Sequence, residues 1–153
     1  MTSVFRPLLA LILAGSPMCA ELLRVELSVG GLDCISCAQS VDKALKKIKG
    51  VDAASFRTQD SVAVLDLKPG NTAALEQIRD AVKGIGYTPK AARVTVRGQA
   101  HEKGGKWMLE VTGSGAEYAL DVSGVRTVVG DVVVEGVIAD VTAPLKVSAM
   151  RRE

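Results

Sequence analysis

Residues 22–93 change repeatedly between strand-like and helix-like spacing of their apolar side chains. Residues 23–29 alternate apolar and polar positions, which is the period of a half-buried strand. From Cys37 onward the apolar positions follow helical spacing, and Gly50 is predicted to end that helix. The apolar face of this first helix consists of Ala38, Val41, Leu45 and Ile48.

Two further strands and a second helix follow. Residues 53–57 and 61–67 have the alternation of strands, and Asn71 or Thr72 is predicted to cap the second helix. Its predicted apolar face is Leu75, Ile78, Val82 and Ile85, and Gly84 and Gly86 are predicted to end it. A strand at residues 91–97 completes a βαββαβ order. This order predicts an α+β fold, a ferredoxin-like sandwich with both helices on one face of an antiparallel sheet.

The chain changes character from about residue 94, because no helical spacing follows. Short alternating segments separated by glycines predict five strands, which favour a small all-β barrel that is OB-like. These segments are 93–99, 106–112, 117–122, 128–138 and 145–150. The predicted domains are therefore 22–93 and 94–153. The strand at 91–97 is a candidate member of both, so their boundary is placed only to within several residues.

Composition narrows the functional classes. Of the 153 residues, 48% are hydrophobic and 24% charged, which is typical of a globular protein. Aromatic residues make up only 3% and the net charge is +2, so the basic stripe and stacking aromatics of a nucleic-acid binder are missing. A single histidine and the lack of a phosphate-binding glycine loop argue against a hydrolase or a nucleotide-dependent enzyme.

Residues 1–20 have the features of a signal peptide. Arg6 precedes an apolar run at 7–14, and Ala20 offers a cleavage site before the first predicted strand. The run is shorter than the roughly 20 residues of a membrane-spanning helix. Export to the periplasm or another extracytoplasmic space is predicted, with an uncleaved membrane anchor as the alternative. Cys19 would leave with this segment, unless it carries a lipid.

Cys34 and Cys37 remain as the working pair of thiols. A Cys-x-x-Cys spacing at the start of a helix lets two sulfurs reach one ion, and the helix N-terminus favours their thiolate forms. Thiolates select the soft or borderline ions Cu(I), Zn(II), Cd(II) and Hg(II). Two thiolates satisfy a near-linear ion, whereas Zn(II) prefers four ligands and needs further donors.

The sequence around this pair resembles the heavy-metal-associated domain family. The resemblance rests on Val29-Gly-Gly-Leu-Asp-Cys-Ile-Ser-Cys37 with the helix that follows it, and on Gly84-Ile-Gly-Tyr-Thr-Pro89. It covers about residues 22–93. It implies that Cys34 and Cys37 bind the metal and that Tyr87 lies in a loop close to it. It also implies transient contact with a partner that accepts or transports the metal.

Three neighbours of the cysteines complete the predicted site. Leu32 stands where the family commonly has Met and is expected to pack inward, and Ser36 lies between the two cysteines. Asp33 stands where copper-handling members often have Thr, so it is a candidate third ligand for a divalent ion. Asp33 could equally hydrogen-bond backbone N–H groups as a loop or cap residue. The identity of the ion therefore stays open.

Other polar and aromatic residues give weaker indications of function. Lys43, Lys46 and Lys47 lie off the apolar stripe of the first helix, where they form a solvated face or a docking surface for an acidic partner. His101 is predicted in a hairpin loop, with a ligand role as the alternative. Trp107 and Tyr118 are predicted in the core or at the rim of the barrel, and Met108 and Met150 are predicted to fill the core.

Together these observations predict an exported metal-binding protein that is not an enzyme. It would capture a soft ion at the Cys-x-x-Cys site and transfer it to a partner. A thiol–disulfide protein is the first alternative, because an exported cysteine pair meets oxidising conditions. A metal-free interaction module is the second.

Overall fold

The computed structural model describes residues 21–32 and 34–153. The predicted signal segment with Cys19 and the predicted ligand Asp33 lie outside these residues and stay predictions. Of the helices in this part of the chain, none combines the length and hydropathy of a membrane-spanning helix. The elements are β1 (Glu21–Gly30), α1 (Ile35–Lys46), β2 (Val51–Arg57), β3 (Val62–Leu67), α2 (Leu75–Gly84), β4 (Thr88–Lys103), β5 (Lys106–Val111), β6 (Ala116–Asp121), β7 (Gly130–Ile138) and β8 (Leu145–Arg152).

The first part of the chain forms an antiparallel sheet in the order β2-β3-β1-β4. Helix α1 packs on β2 and β3, helix α2 packs on β1 and β4, and the two helices touch each other. Both helices therefore cover one face of the sheet. The predicted βαββαβ order and the ferredoxin-like sandwich are confirmed.

The second part of the chain closes into a five-stranded barrel. Its strands follow the order β4-β5-β6-β8-β7, and β7 pairs with β4 to close the ring. The pairing of β6 with β8 is parallel, and the other pairings are antiparallel. The predicted barrel strands are all present, with boundaries that differ by a few residues.

Strand β4 belongs to both the sheet and the barrel. Along one edge it pairs first with β1, up to Arg97, and then with β5, from Gln99. Along the other edge it pairs with β7 from Ala92 to Ala100. Gly98 lies at the change of partner, where a Cβ atom would stand 2.6 Å from the carbonyl oxygen of Glu110. The close approach of β5 at this point therefore requires glycine.

The start of α2 differs from its prediction. Ala74, not Asn71 or Thr72, is the N-cap residue. The Asn71 side chain instead donates to the carbonyl of Leu22 at 2.8 Å and so connects the β3–α2 loop to β1. Ile85 was predicted on the apolar face of the helix, but it lies beyond the end of α2 and is 38% exposed, so that prediction is wrong.

A buried carboxylate connects the first strand to the rest of the molecule. The side chain of Glu21 is 1% exposed, and Arg97 donates to it at 2.6 Å. The backbone N–H groups of Gly70 and Asn71 also donate to this carboxylate. Arg97 lies 2.8 Å from Glu153 as well, so one guanidinium joins both ends of the described chain to β4. A buried charge is tolerated only when it is paired in this way.

Replacing Arg97 by Met removes the countercharge of the buried Glu21 carboxylate. We expect the free energy of unfolding to fall by about 3 kcal/mol. Arg24→Met is the matched control, because Arg24 lies 2.6 Å from Asp66 but these two side chains are 44% and 50% exposed. We expect that control to lose less than about 1 kcal/mol. Urea unfolding measures the free energy of both variants. Equal losses would contradict the claim that burial makes the Glu21–Arg97 pair more important than the exposed Arg24–Asp66 pair.

Helix α2 also contacts the barrel. Arg79 is 3% exposed and donates to the carbonyl of Ile138 on β7 at 3.4 Å. The hydroxyl of Tyr118 on β6 is buried near the first turn of α2 and has no well-aligned hydrogen-bond partner among the described residues. Burial raises the pKa of Tyr118 to about 12, and the negative charge of Glu76 acts in the same direction.

The raised pKa of Tyr118 predicts a loss of stability in alkali. An unfolded tyrosine has a pKa of about 10, so the unfolded chain loses this proton first as the pH rises. The stability from neutral Tyr118 is therefore fully present below about pH 10 and is lost towards about pH 12. We expect the free energy of unfolding of Tyr118→Phe to fall less steeply over this range than that of the unaltered protein. Equal slopes in Tyr118→Phe and in the unaltered protein would disprove the effect.

Candidate metal site

The two cysteines lie where β1 ends and α1 begins. Strand β1 ends at Gly30, and Gly31 follows with a positive φ of 87°, which turns the chain towards the helix. Cys34 is the N-cap residue of α1 and has an extended backbone. Cys37 lies in the first helical turn. The helix therefore starts two residues before the predicted position and places both sulfurs at its N-terminal end.

The sulfurs of Cys34 and Cys37 are joined by a disulfide, and their Cα atoms are 5.3 Å apart. The backbone N–H of Cys37 donates to the Cys34 sulfur at 3.2 Å. The hydroxyl of Ser36 lies 3.2 Å from the same sulfur. Cys34 is exposed and Cys37 is half-buried. The pair is therefore accessible from solvent, and polar hydrogens already surround one of its sulfurs.

The reduced pair would have the chemistry of a soft-metal site. A disulfide offers no thiolate, so binding requires two electrons and two protons to give the free thiols, followed by their ionisation. The first turn of α1 contains no acidic residue, so no carboxylate of that turn neutralises the positive end of the helix dipole. A backbone N–H and a hydroxyl already within hydrogen-bond distance would also stabilise a charge on Cys34.

Tyr87 and Leu32 support the loop. Thr88 at the start of β4 pairs with Gly30, which brings the α2–β4 loop beside the cysteine loop. A Cβ atom placed on Gly31 would be 3.9 Å from the ring of Tyr87, so the tyrosine lies against this loop. Leu32 is partly buried and packs on the core. Tyr87 therefore lies beside Gly31 of the cysteine loop, and Leu32 faces the core.

The donors that converge on the site are limited. Across residues 21–32 and 34–153, no three His, Cys, Asp or Glu side chains lie together in a way that could hold a metal. The described site therefore offers two sulfurs. Asp33 was predicted as a third ligand, but it lies outside the described residues. Its ligand and cap roles both remain predictions.

Lys90 is a neighbour of the site that the sequence did not indicate. A Cβ atom on Gly30 would stand 2.7 Å from the Cε atom of Lys90 and 3.3 Å from its ammonium. The lysine side chain thus lies across the end of β1, next to the cysteine loop. In the sequence Lys90 is marked only by its alternating position in β4, three residues after Tyr87. That position indicates a contact with Gly30 only once the pairing of β4 with β1 is known.

The predicted docking lysines lie away from the sulfurs. Lys43, Lys46 and Lys47 are exposed in and after the last turn of α1. Lys46 is paired with Asp42 at 2.7 Å. Lys43 is six positions beyond Cys37 in the helix, so its backbone is about 9 Å further along the axis. Positive charge at a helix C-terminus is favoured by the helix dipole alone, whatever the partner.

Two predictions about the barrel are corrected. His101 was predicted in a hairpin loop, but it lies within β4, and the turn is formed by Gly104 and Gly105. Met108 was predicted to fill the core, but it is not among the residues that pack against the core. Trp107, Tyr118 and Met150 are partly buried and do pack there, as predicted.

Known proteins match parts of this chain. Residues 26–88 match the sequence model of the family described as heavy-metal-associated domain. Copper-transporting ATPase 2 of Rhizobium meliloti (strain 1021) is 40% identical over 62 residues, which are 40% of this chain and 7% of that protein. Mercuric reductase of Serratia marcescens is 36% identical over 101 residues, which are 63% of this chain and 22% of that protein. The chain thus spans less than a quarter of the length of either relative.

Solved structures match under half of this chain. A CopZ metallochaperone is 27% identical with a TM-score of 0.41, and the match covers 43% of this chain and 97% of that one. Oxidized MerP from Ralstonia metallidurans CH34 is 26% identical with a TM-score of 0.41, covering 44% and 93%. The sequence match at residues 26–88 contains both cysteines and Tyr87. The part of the chain that contains the candidate metal site is therefore similar in sequence to the heavy-metal-associated domain family.

Proposed function

We propose that this protein binds one soft metal ion through Cys34 and Cys37 and passes it to a partner protein. The observation that carries the proposal is the position of the two sulfurs within the segment that matches the heavy-metal-associated domain family, at the solvent-facing N-terminus of α1. The function is that of a carrier and not of an enzyme. Among the described residues no three His, Cys, Asp or Glu side chains lie together in a way that could hold a metal, so the proposal uses the two sulfurs as donors.

Exposure of the site supports transfer as well as capture. Cys34 is exposed, so a thiolate of a partner protein can approach an ion before either original sulfur leaves. Each exchange then replaces one metal–sulfur bond by another, and the bare ion is never released. The exposed lysines Lys43 and Lys47 would favour a partner with an acidic surface, since complementary charge accelerates encounter.

The two described sulfurs favour an ion of low coordination number. Cu(I) and Hg(II) accept two thiolates, and the named relatives include a copper-transporting ATPase and a mercuric reductase. Zn(II) and Cd(II) would need further donors, of which Asp33 is the candidate. We therefore place Cu(I) first and a thiophilic divalent ion second.

Export and the role of the barrel complete the proposal. Cleavage after Ala20 would keep all the described residues of β1, which run from Glu21 to Gly30. The periplasm or an equivalent space is the proposed location. We also assign residues 94–153 to an OB-type barrel, on the basis of five strands whose third and fifth members are parallel neighbours. The barrel would provide a docking or localising surface.

Thiol–disulfide exchange is the second candidate function, and the disulfide between Cys34 and Cys37 favours it. A catalytic pair would accelerate the reduction of a model disulfide substrate such as insulin. Acceleration that is lost when both cysteines are replaced by Ser would support exchange. A rate no higher than that of free glutathione would argue against catalysed exchange and favour the carrier function.

Competition titrations of the reduced protein with Cu(I) and with Zn(II) test the proposal. A Cys19→Ser background removes the third thiol. We expect one equivalent of Cu(I) to bind tightly at the cysteine pair, measured against a chromogenic chelator, and the affinity for it to fall at least a hundredfold when Cys34 and Cys37 are both replaced by Ser. The reason is that the two sulfurs are the only donors at the described site.

Asp33→Ala identifies the class of ion. If Asp33 is a ligand, this variant weakens Zn(II) binding and leaves Cu(I) binding unchanged, since a carboxylate suits the divalent ion. Asp60→Ala removes an exposed carboxylate from the β2–β3 turn and controls for the lost charge. Equal binding of both ions by the native protein and by the double-Ser variant would end the metal hypothesis and favour a metal-free interaction module.

A further inference from the structure

The barrel brings the only histidine of the chain beside a methionine. His101 on β4 and Met108 on β5 are direct partners in the antiparallel register. Directly opposite residues in such a pair have Cβ atoms about 4.5–5.5 Å apart on the same face of the sheet. An imidazole nitrogen and a thioether sulfur can therefore reach one ion between them. The seven positions that separate these residues in the sequence give no hint of this contact.

The hairpin turn fixes this register. Gly104 and Gly105 both have positive φ, at 61° and 75°, which is the two-residue turn that matches the twist of paired strands. Lys103 and Lys106 close the hairpin, and the pairing continues without a shift to Gln99 and Glu110. The side chains of His101 and Met108 are thus held on adjacent strands without any help from a loop.

Both side chains lie on the outer face of the barrel. Their neighbours Ala100 and Leu109 are 1% and 0% exposed and fill the interior, so the next positions must face outward. His101 and Met108 are half-buried, and the residue opposite Met108 on β6 is Ala119, whose small side chain leaves room above the pair. The methionine therefore stands on the outside of the fold, where a core-filling role does not explain it.

The second described methionine behaves differently. Met150 on β8 packs against the core, and its sulfur lies 3.3 Å from the backbone N–H of Val128, which donates to it. Its thioether is thus occupied by a backbone contact. Met150 is therefore a structural side chain and serves as a control for Met108, the candidate ligand.

We propose that His101 and Met108 form a second metal site, which binds the soft monovalent ion Cu(I). Imidazole and thioether are both neutral, polarisable donors that suit Cu(I) and its chemical analogue Ag(I). Among the described residues no three His, Cys, Asp or Glu side chains converge there, so a divalent ion would lack the further ligands that it prefers.

The second site is independent of the cysteine pair. The cysteine loop lies at the beginning of β4, beside Thr88, whereas His101 lies near the other end of the same strand. At about 3.3 Å per residue this separation is up to roughly 40 Å. A thioether and an imidazole do not form a disulfide, so this site keeps its ligands under conditions in which Cys34 and Cys37 are oxidised.

Silver titration of a cysteine-free protein tests the proposal without depending on the proposed carrier function. The full-length protein would carry Cys19→Ser, Cys34→Ser and Cys37→Ser, with methionine methyl groups labelled with ¹³C for NMR. We expect one equivalent of Ag(I) to shift the Met108 methyl signal and to leave that of Met150 in place. An unshifted Met108 signal at excess Ag(I) would overturn the proposal, and this result needs no further variant.

Affinities of three variants complete the test. We expect His101→Gln and Met108→Leu each to weaken Ag(I) binding at least tenfold, while Met150→Leu binds as the parent does. Leu has nearly the volume of Met, so Met108→Leu should fold normally, and circular dichroism checks this. If Met108→Leu and Met150→Leu bind Ag(I) equally well, the site is refuted. If the site exists, a Cu(I) titration of the cysteine-free protein under reducing conditions should also show one bound ion per chain.

Discussion

Strand β4 is hydrogen-bonded along both edges, and the rest of the architecture depends on this double pairing. Along one edge β4 pairs with β1 up to Arg97 and with β5 from Gln99. Along the other edge it pairs with β7 on both sides of this change of partner. Gly98 allows the exchange, because any side chain there would meet the carbonyl of Glu110. The sheet that presents the cysteine loop and the barrel are consequently parts of one hydrogen-bonded ladder. Arg97 adds an electrostatic connection at the same place, through its ion pairs with Glu21 and Glu153.

The order of strands and helices was predictable because each element has a strong local pattern. The apolar face of α1 and the alternation of β1 are visible in any short window of sequence. The errors arose where a contact from a distant residue overrides the local pattern. Asn71 looked like a helix cap, but its amide is used to connect the loop to Leu22. Ile85 continues the apolar spacing of α2, but the chain has already turned away at Gly84.

The candidate metal site was predictable to a similar extent and for a similar reason. Cys34, Cys37 and Tyr87 belong to local motifs, so their types and spacing identify them. Lys90 lies across Gly30 only because β4 is antiparallel to β1, and that register is a long-range property. The pairing of His101 with Met108 likewise depends on a turn at Gly104 and Gly105, whereas the local sequence predicted His101 within the hairpin loop. Residues that act together across strands are found by register, and register is the property that a single sequence determines least.

The continuity of β4 also limits how this protein can be rearranged. Many domains can be excised, duplicated or exchanged between proteins, because few contacts cross their boundaries. Here a cut near residue 93 would divide one strand, leaving the sheet with a shortened edge and the barrel without its closing member. An insertion of one residue near Gly98 would reverse which side chains of the following segment face inward. The two halves are therefore expected to persist together in evolution as a single heritable unit, even where their surfaces diverge.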